Sequence, residues 1–394
     1  MSAESNRLVE FRRGWPVVLT AAFGSGLGVS GLFTYNSGLF VTDLQREIGL
    51  SRGVFGLAFF AATVAMAISL PVIGRIVDRR GPQLPALLGS VALMTCFLLF
   101  GTVVRSVALY FALTVAIGLL TTGSSPLAYT RAVSTAFIRG RGLALGLTQV
   151  GIGISAALVP PLVLGAIAIH GWQAGYFVLA GMAALGLVPA LFGLGGRAAA
   201  PIPGGVGTAV LLANPLFRLQ LAAFVTMALG FAGFLPHFVP MLRDAGVSME
   251  RAALLASLIG LAVIGSRLVI GWLADFVHAP LLAATVCALA SLGCVALVLG
   301  GAALAPVGAV AFGCAMGAEA DLVGFMTARH FGVASYGRAY ALQYAAFMLA
   351  AGASPAWIGL LFDRTGSYQA PLIVTAVLLV GAAILFLRMP RTAE

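Results

Sequence analysis

The sequence predicts an all-α integral membrane protein of twelve transmembrane helices in two pseudo-symmetric six-helix bundles. Three observations predict it. Hydrophobic residues make up 61% of the chain and charged residues 9%, against roughly 25% charged in a soluble domain. Apolar runs about as long as one membrane crossing recur from end to end. The chain also echoes itself at half its own length of 394 residues: Gly74-Arg75-Ile76-Val77-Asp78 returns 197 residues later as Gly271-Trp272-Leu273-Ala274-Asp275, and Gly140-Arg141 returns as Gly337-Arg338. A weaker echo links His170-Gly171-Trp172-Gln173-Ala174 to Thr365-Gly366-Ser367-Tyr368-Gln369-Ala370. A fixed internal offset is the mark of a repeated unit.

In chain order, a bilayer crossing of about 20 mostly apolar residues fits at 14–40, 53–73, 83–103, 107–131, 142–167, 173–195, 217–240, 252–273, 280–302, 306–329, 338–361 and 370–389. The first run is long and rich in glycine, so a break is expected near Gly24, Gly26, Gly28 or Gly31. Gly151, Gly153 and Pro160-Pro161 allow the fifth helix to bend, although membrane packing uses the same residue types. The longest connection, 196–216, carries Pro201, Pro203, Gly204, Gly205 and Gly207. It is expected to be a cytoplasmic linker between an N-terminal bundle, 1–195, and a C-terminal bundle, 217–394.

Charge sets the expected orientation. All basic residues are arginine, 22 of them, and the net charge is +10. With the N-terminus inside, fifteen arginines fall on the cytoplasmic side, and Arg46, Arg52, Arg105, Arg243, Arg251 and Arg364 fall outside. The positive-inside rule therefore places both termini in the cytoplasm of a multi-pass inner-membrane protein. The polar start, Met1 to Arg13, runs into an apolar segment without a cleavage-like site, so no signal peptide is expected. The positive balance is explained by loops and requires no nucleic acid. Cys96, Cys287, Cys294 and Cys314 all sit in apolar runs and read as small hydrophobes. No metal-ligand or nucleophile spacing appears, so neither a cofactor nor an enzyme is expected.

Gly74-x-x-x-Asp78-Arg79-x-Gly81, between the second and third helices, resembles the signature loop of the major facilitator superfamily, and the copy at Gly271 to Asp275 falls where that family repeats it. The usual basic tail is missing, since Pro82 and Gln83 follow. The resemblance implies two bundles with a substrate site between them near the membrane midplane, working by alternating access. The two glycines suit a tight turn and close helix approach, and Asp78 suits a helix N-terminus or an arginine. The pattern Tyr35-x4-Phe40-x3-Leu44-x2-Glu47-x-Gly49-x-Ser51 narrows this, as do Arg141-Gly142-x-Ala144-x-Gly146, Arg267-x3-Gly271 and Asp363-x2-Gly366-Ser367-Tyr368. They resemble bacterial monocarboxylate transporter-like and oxalate/formate antiporter-like proteins. Departures matter too. The helix-one lysine of monocarboxylate carriers is replaced near Asn36, and the acid one turn before their helix-eight arginine is Val263. The helix-eleven lysine of oxalate/formate antiporters has no counterpart; Gln343 and Tyr344 are the nearest polar groups.

Arg267, Glu319 and Asp321 lie deep in apolar runs, about 9–15 Å from the expected cytoplasmic ends at 1.5 Å per residue. Buried ionisable groups in membranes are functional candidates. Arg267 is expected to reach a helix-ten acid and restore the charge missing at Val263. The second acid is then unpaired and suits a proton carrier. Glu319 and Asp321 are two residues apart and point about 200° apart. Asp321 shares its face with Gly317, Gly324 and Ala328, which suits packing, so Glu319 is expected to face the pathway more. A buried ion cluster that only locks the second half is the competing reading.

The first half offers uncharged candidates for orienting a substrate: Tyr35, Asn36, Ser124, Ser125, Tyr129 and Gln149. Backbone bonding by hydroxyls and interfacial anchoring by tyrosine explain each one singly as well. Arg131 reads as a loop charge and His237 as a satisfied surface group. The expected function is therefore a monomeric secondary transporter moving a small organic anion, a carboxylate, with protons. Anion exchange, efflux of an amphiphile and a transporter-like sensor are the alternatives.

Overall fold

The computed structural model describes residues 3–50, 52–194 and 205–390. Seventeen α-helices are described: α1 (Ala3–Gly26), α2 (Val29–Asn36), α3 (Val41–Ile48), α4 (Arg52–Arg80), α5 (Gln83–Val103), α6 (Val107–Leu120), α7 (Pro126–Ala136), α8 (Arg141–His170), α9 (Trp172–Leu185), α10 (Thr208–Ala213), α11 (Pro215–Phe231), α12 (Phe234–Asp244), α13 (Met249–Leu273), α14 (Ala279–Gly300), α15 (Ala305–Phe331), α16 (Tyr336–Thr365) and α17 (Gln369–Leu387). Among the described residues, ten helical stretches can each cross a bilayer, and the bent pair α6–α7 makes an eleventh. One of the ten, Ala279–Phe331, is 53 residues long, more than twice a single crossing. It holds both α14 and α15, joined by a turn at Gly301–Leu304, which brings the count to twelve. Ile169, Phe192 and Leu299 are more than three-quarters exposed, as lipid-facing side chains must be in such a protein.

Two compact units can be separated. One comprises 1–205 with 331–345, the other 206–330 with 346–394. The helix α16 passes from the first to the second at Ala345. Within the first unit α5 packs on α9, α4 on α6 and α1 on α8; within the second, α14 packs on α17 and α17 on α11. Most of the expected linker, 196–204, lies outside the described residues; the rest forms α10 and the start of α11.

The glycine-rich first crossing breaks at Leu27–Gly28, between α1 and α2. Gly26 lies against the Gly151 carbonyl and Gly28 against the Ser124 carbonyl, so a side chain at either place meets backbone. The freed amide of Val29 donates to Ser124 Oγ at 3.2 Å. Ser124 thus serves the break in helix one.

The fourth crossing is not the single rod expected over 107–131. It bends by 55° between α6 and α7. Pro126 lacks an amide hydrogen and holds Ser125 in extended backbone (ψ 168°), while Thr121 and Thr122 turn their hydroxyls back onto Ile117 and Gly118. The seventh crossing is likewise interrupted, at Ala232–Gly233, where Ser354 Oγ accepts the Gly233 amide at 2.9 Å. The fifth, by contrast, runs unbroken through Pro160 and Pro161.

Candidate functional site

In the second unit, two four-residue ladders meet. On α15, Gly313 and Gly317 press against the Ile259 and Val263 carbonyls of α13. Ser266 Oγ donates to the Cys314 carbonyl at 2.8 Å, pinning the crossing. One turn further along both helices stand Asp321 and Arg267. Arg267 Nη1 lies 3.8 Å from Asp321 Oδ1. That is ion-pair distance but too long for a hydrogen bond. Neither Asp321 oxygen has a hydrogen-bond partner, and neither does Arg267 Nη1 or Glu319 Oε2. Asp321 is buried and Glu319 partly so. The trio is therefore a largely buried charge cluster, with Asp321 deepest and with unused donors and acceptors, able to accept a further polar group. Gly317→Leu is expected to drive α13 and α15 apart and cost about 1–3 kcal/mol as an overpacked crossing does. Thermal unfolding in detergent checks it, and an unchanged midpoint rejects the tight crossing.

The first unit holds uncharged candidates. Asn36 is fully buried and donates to the Leu32 carbonyl at 2.9 Å, and its Oδ1 has no partner. Its neighbour Tyr35 is half exposed. Ser125 Oγ and Gln149 Oε1 are buried without a hydrogen bond, and the buried Tyr129 Oη lies beside Ser90. Gly24 makes room for the Tyr129 ring. Gln343 is fully buried, and Tyr344 stacks on Tyr340 at 5.3 Å, which stacks on Tyr336 at 5.4 Å. These three tyrosines, spaced by four, form one face at the start of α16.

The signature loop is built around Asp78. Gly81, with φ +81°, closes α4 through its amide to the Val77 carbonyl at 3.0 Å. Asp78 is buried. Its Oδ1 accepts the Gly337 amide at 2.7 Å and its Oδ2 the Arg338 amide at 3.0 Å, with Arg338 Nε 3.5 Å away. A carboxylate thus caps the positive end of α16. Gly74 and Gly337 touch backbone to backbone, so a side chain on either collides. Arg79 is exposed. In the second copy, Gly271 is buried and Asp275 half-buried in the turn after α13.

Two residues depart from the sequence reading or escaped it. Arg131 is not a loop charge: it is 2% exposed, donates to Thr135 Oγ1, and its charge and that of Asp78 act on each other. The unforeseen bend at Ser125-Pro126 makes 126–136 a separate helix, α7, and Arg131 lies at its middle. Glu10 repeats the Asp78 arrangement in the first half. Its carboxylate accepts the amides of Arg139 at 3.1 Å and Gly140 at 3.0 Å, and Gly140-Arg141 is the half-chain echo of Gly337-Arg338. That echo was the available signal. His237 bonds Tyr368 Oη at 3.0 Å and the Pro355 carbonyl at 3.1 Å. The carbonyl requires a donor at Nε2, so the ring ties α12 to α16.

Comparison with known proteins places this geometry. The family profile of the Major Facilitator Superfamily matches residues 18–324. Human Monocarboxylate transporter 11 is 29% identical over 406 aligned positions, spanning 96% of this chain and 83% of that protein. The solved structure of the human organic anion transporter MFSD10 (TETRAN) superposes with a TM-score of 0.73 at 19% identity, covering 95% of this chain and 99% of that one. That of the E. coli fucose:proton symporter gives 0.77 at 12% identity, covering 96% and 100%. These proteins are membrane transporters, not enzymes, and the twelve crossings in two bundles are their common fold. By the extent of the profile match, this chain belongs to the major facilitator superfamily.

Proposed function

We propose that this protein is a secondary transporter that moves a small organic anion, a monocarboxylate, by alternating access and in company with protons. The observation that carries the proposal is the Arg267–Asp321 pair, 3.8 Å apart with Glu319 beside it and open hydrogen-bonding capacity on all three. A planar guanidinium binds a carboxylate through two parallel hydrogen bonds, and more strongly where water is scarce. An arriving carboxylate displaces Asp321 from Arg267. The released acid, alone in a medium of low dielectric, takes a proton, because burying an unpaired charge costs more than neutralising it. Substrate and proton then travel together, with Glu319 as the second proton acceptor.

Tyr35, Asn36, Ser125, Tyr129, Gln149, Gln343 and Tyr344 supply the neutral hydrogen bonds that orient the rest of the substrate. Gly74, Asp78, Arg79, Gly81, Gly271 and Asp275 form the conformational gate. The halves 1–195 and 217–394 are the two rocking bundles, joined by the linker 196–216. The arginine distribution supports an inner-membrane protein with both termini cytoplasmic. The names of the relatives support the substrate class: one is named for monocarboxylates, and a structural neighbour for organic anions.

The test is uptake of a panel of labelled monocarboxylates into proteoliposomes of the purified protein, with and without an inward proton gradient. Accumulation that rises with the gradient and collapses with a protonophore is expected. Uptake that ignores the gradient and requires a carboxylate inside the vesicle replaces symport by exchange. No carboxylate uptake under any condition rejects the substrate class.

A further inference from the structure

A groove of about 450 Å³ lies on the first unit, where the ends of α4 and α5 meet the bend between α6 and α7. Arg75, Arg79 and Arg80 line one side of it. All three are exposed, and no described residue forms an ion pair with any of them. No acid lines the groove. The one acid of the loop, Asp78, turns the other way and is engaged by the Gly337 and Arg338 amides. The other side is apolar: Val72, Leu88 and Leu120 face it while each remains more than half exposed. Its floor reaches Gly89 and Gly123, which pack against the backbone of Ser124 and Pro85.

We infer that this groove binds an anionic phospholipid, with the phosphodiester on the three arginines and an acyl chain along Val72, Leu88 and Leu120. The positive-inside rule explains arginines at this end of α4. It does not explain why three of them stand without acids over an apolar trough at the end of a membrane helix. A phosphodiester suits guanidinium forks. Exposed leucines directly beside it suit a ligand that is charged at one end and hydrocarbon at the other. Basic pockets between membrane helices recognise lipid head groups by this logic. A soluble phosphate would use only the arginines. The site is independent of the transported substrate. It shares Arg79 with the proposed gate, so a bound lipid holds the end of α4 that carries the cap on α16.

The experiment titrates the delipidated full-length protein in detergent with fluorescent phosphatidylglycerol and, in parallel, with fluorescent phosphatidylcholine. The wild type is expected to bind phosphatidylglycerol at least about tenfold more tightly, since each arginine near a lipid phosphate is worth roughly fivefold. The triple variant Arg75→Gln/Arg79→Gln/Arg80→Gln is expected to bind the two lipids equally. Should the triple variant fold poorly, Arg75→Gln and Leu88→Trp decide; the latter fills the trough and keeps every charge, yet should weaken phosphatidylglycerol binding. Arg388→Gln, an arginine outside the groove, should leave it unchanged. Equal wild-type affinity for both lipids overturns the site. So does preference kept in the groove variants, or lost equally with Arg388→Gln. Displacement of the lipid by millimolar glycerol phosphate also overturns it, in favour of a soluble phosphate.

Discussion

Arg267→Lys is expected to lower carboxylate uptake by a factor on the order of 10 to 100 while the protein still folds. Lysine keeps the positive charge beside Asp321, so the buried carboxylate remains compensated. What is lost is the planar fork: an ammonium offers a strongly hydrated point charge in place of two parallel donors, and a charge-assisted hydrogen bond contributes about 1.5–3 kcal/mol. Arg267→Gln goes further and leaves the buried Asp321 and the partly buried Glu319 without that cation. Its expression must be measured first, because stranding a buried charge destabilises by about 3–5 kcal/mol. Asp321→Asn separates binding from coupling. It leaves Arg267 free for substrate, so exchange should persist while accumulation driven by the proton gradient falls away. Initial rates in proteoliposomes, normalised to protein, read all three. Gradient-driven uptake at the wild-type rate in Arg267→Gln would falsify the assignment, because among the described residues Arg267 is the cation whose charge acts on both acids.

The sequence carried the fold almost whole, because a bilayer imposes a crossing length that composition alone reveals. It carried the Arg267 cluster for the same reason: charge is so costly in an apolar run that three such residues stand out. Distances did not come with it. The choice of Asp321 over Glu319 follows from Gly313 and Gly317 being in register with Ile259 and Val263, and register between two helices is a tertiary fact. Asp321's face of small residues read as packing, and it is packing, yet the same face delivers the carboxylate to Arg267. The bend in the fourth crossing was written in Ser125-Pro126 and in two adjacent threonines. Hydropathy averages over such a signal, and with the bend went the burial of Arg131. Glu10 was missed because an acid in a polar N-terminal stretch looks like every other solvated charge until its partner amides are known.

Asp78→Asn is expected to shift the balance between the two access states by about 10-fold or more, slowing transport while leaving substrate binding measurable. The carboxylate makes two charge-assisted hydrogen bonds to the α16 amides and lies 3.5 Å from Arg338 Nε. Asparagine can still accept from Gly337. Its amide nitrogen then faces the Arg338 amide and guanidinium, donor against donor, and the charge that favours a helix N-terminus is gone. Losing one such bond to an ionised group is worth about 1.5–3 kcal/mol, and 1.4 kcal/mol is already tenfold in a two-state equilibrium. Gly337→Val tests the same contact from the other side, because its side chain collides with the Gly74 carbonyl and with Asp78. If the cap on α16 is the gate, both variants move the equilibrium the same way, although one changes charge and the other only volume. Accessibility of introduced cysteines to a membrane-impermeant reagent, applied from each side, reads that balance. A wild-type labelling pattern and transport rate in Asp78→Asn would leave the cap as a static brace and remove it from the mechanism.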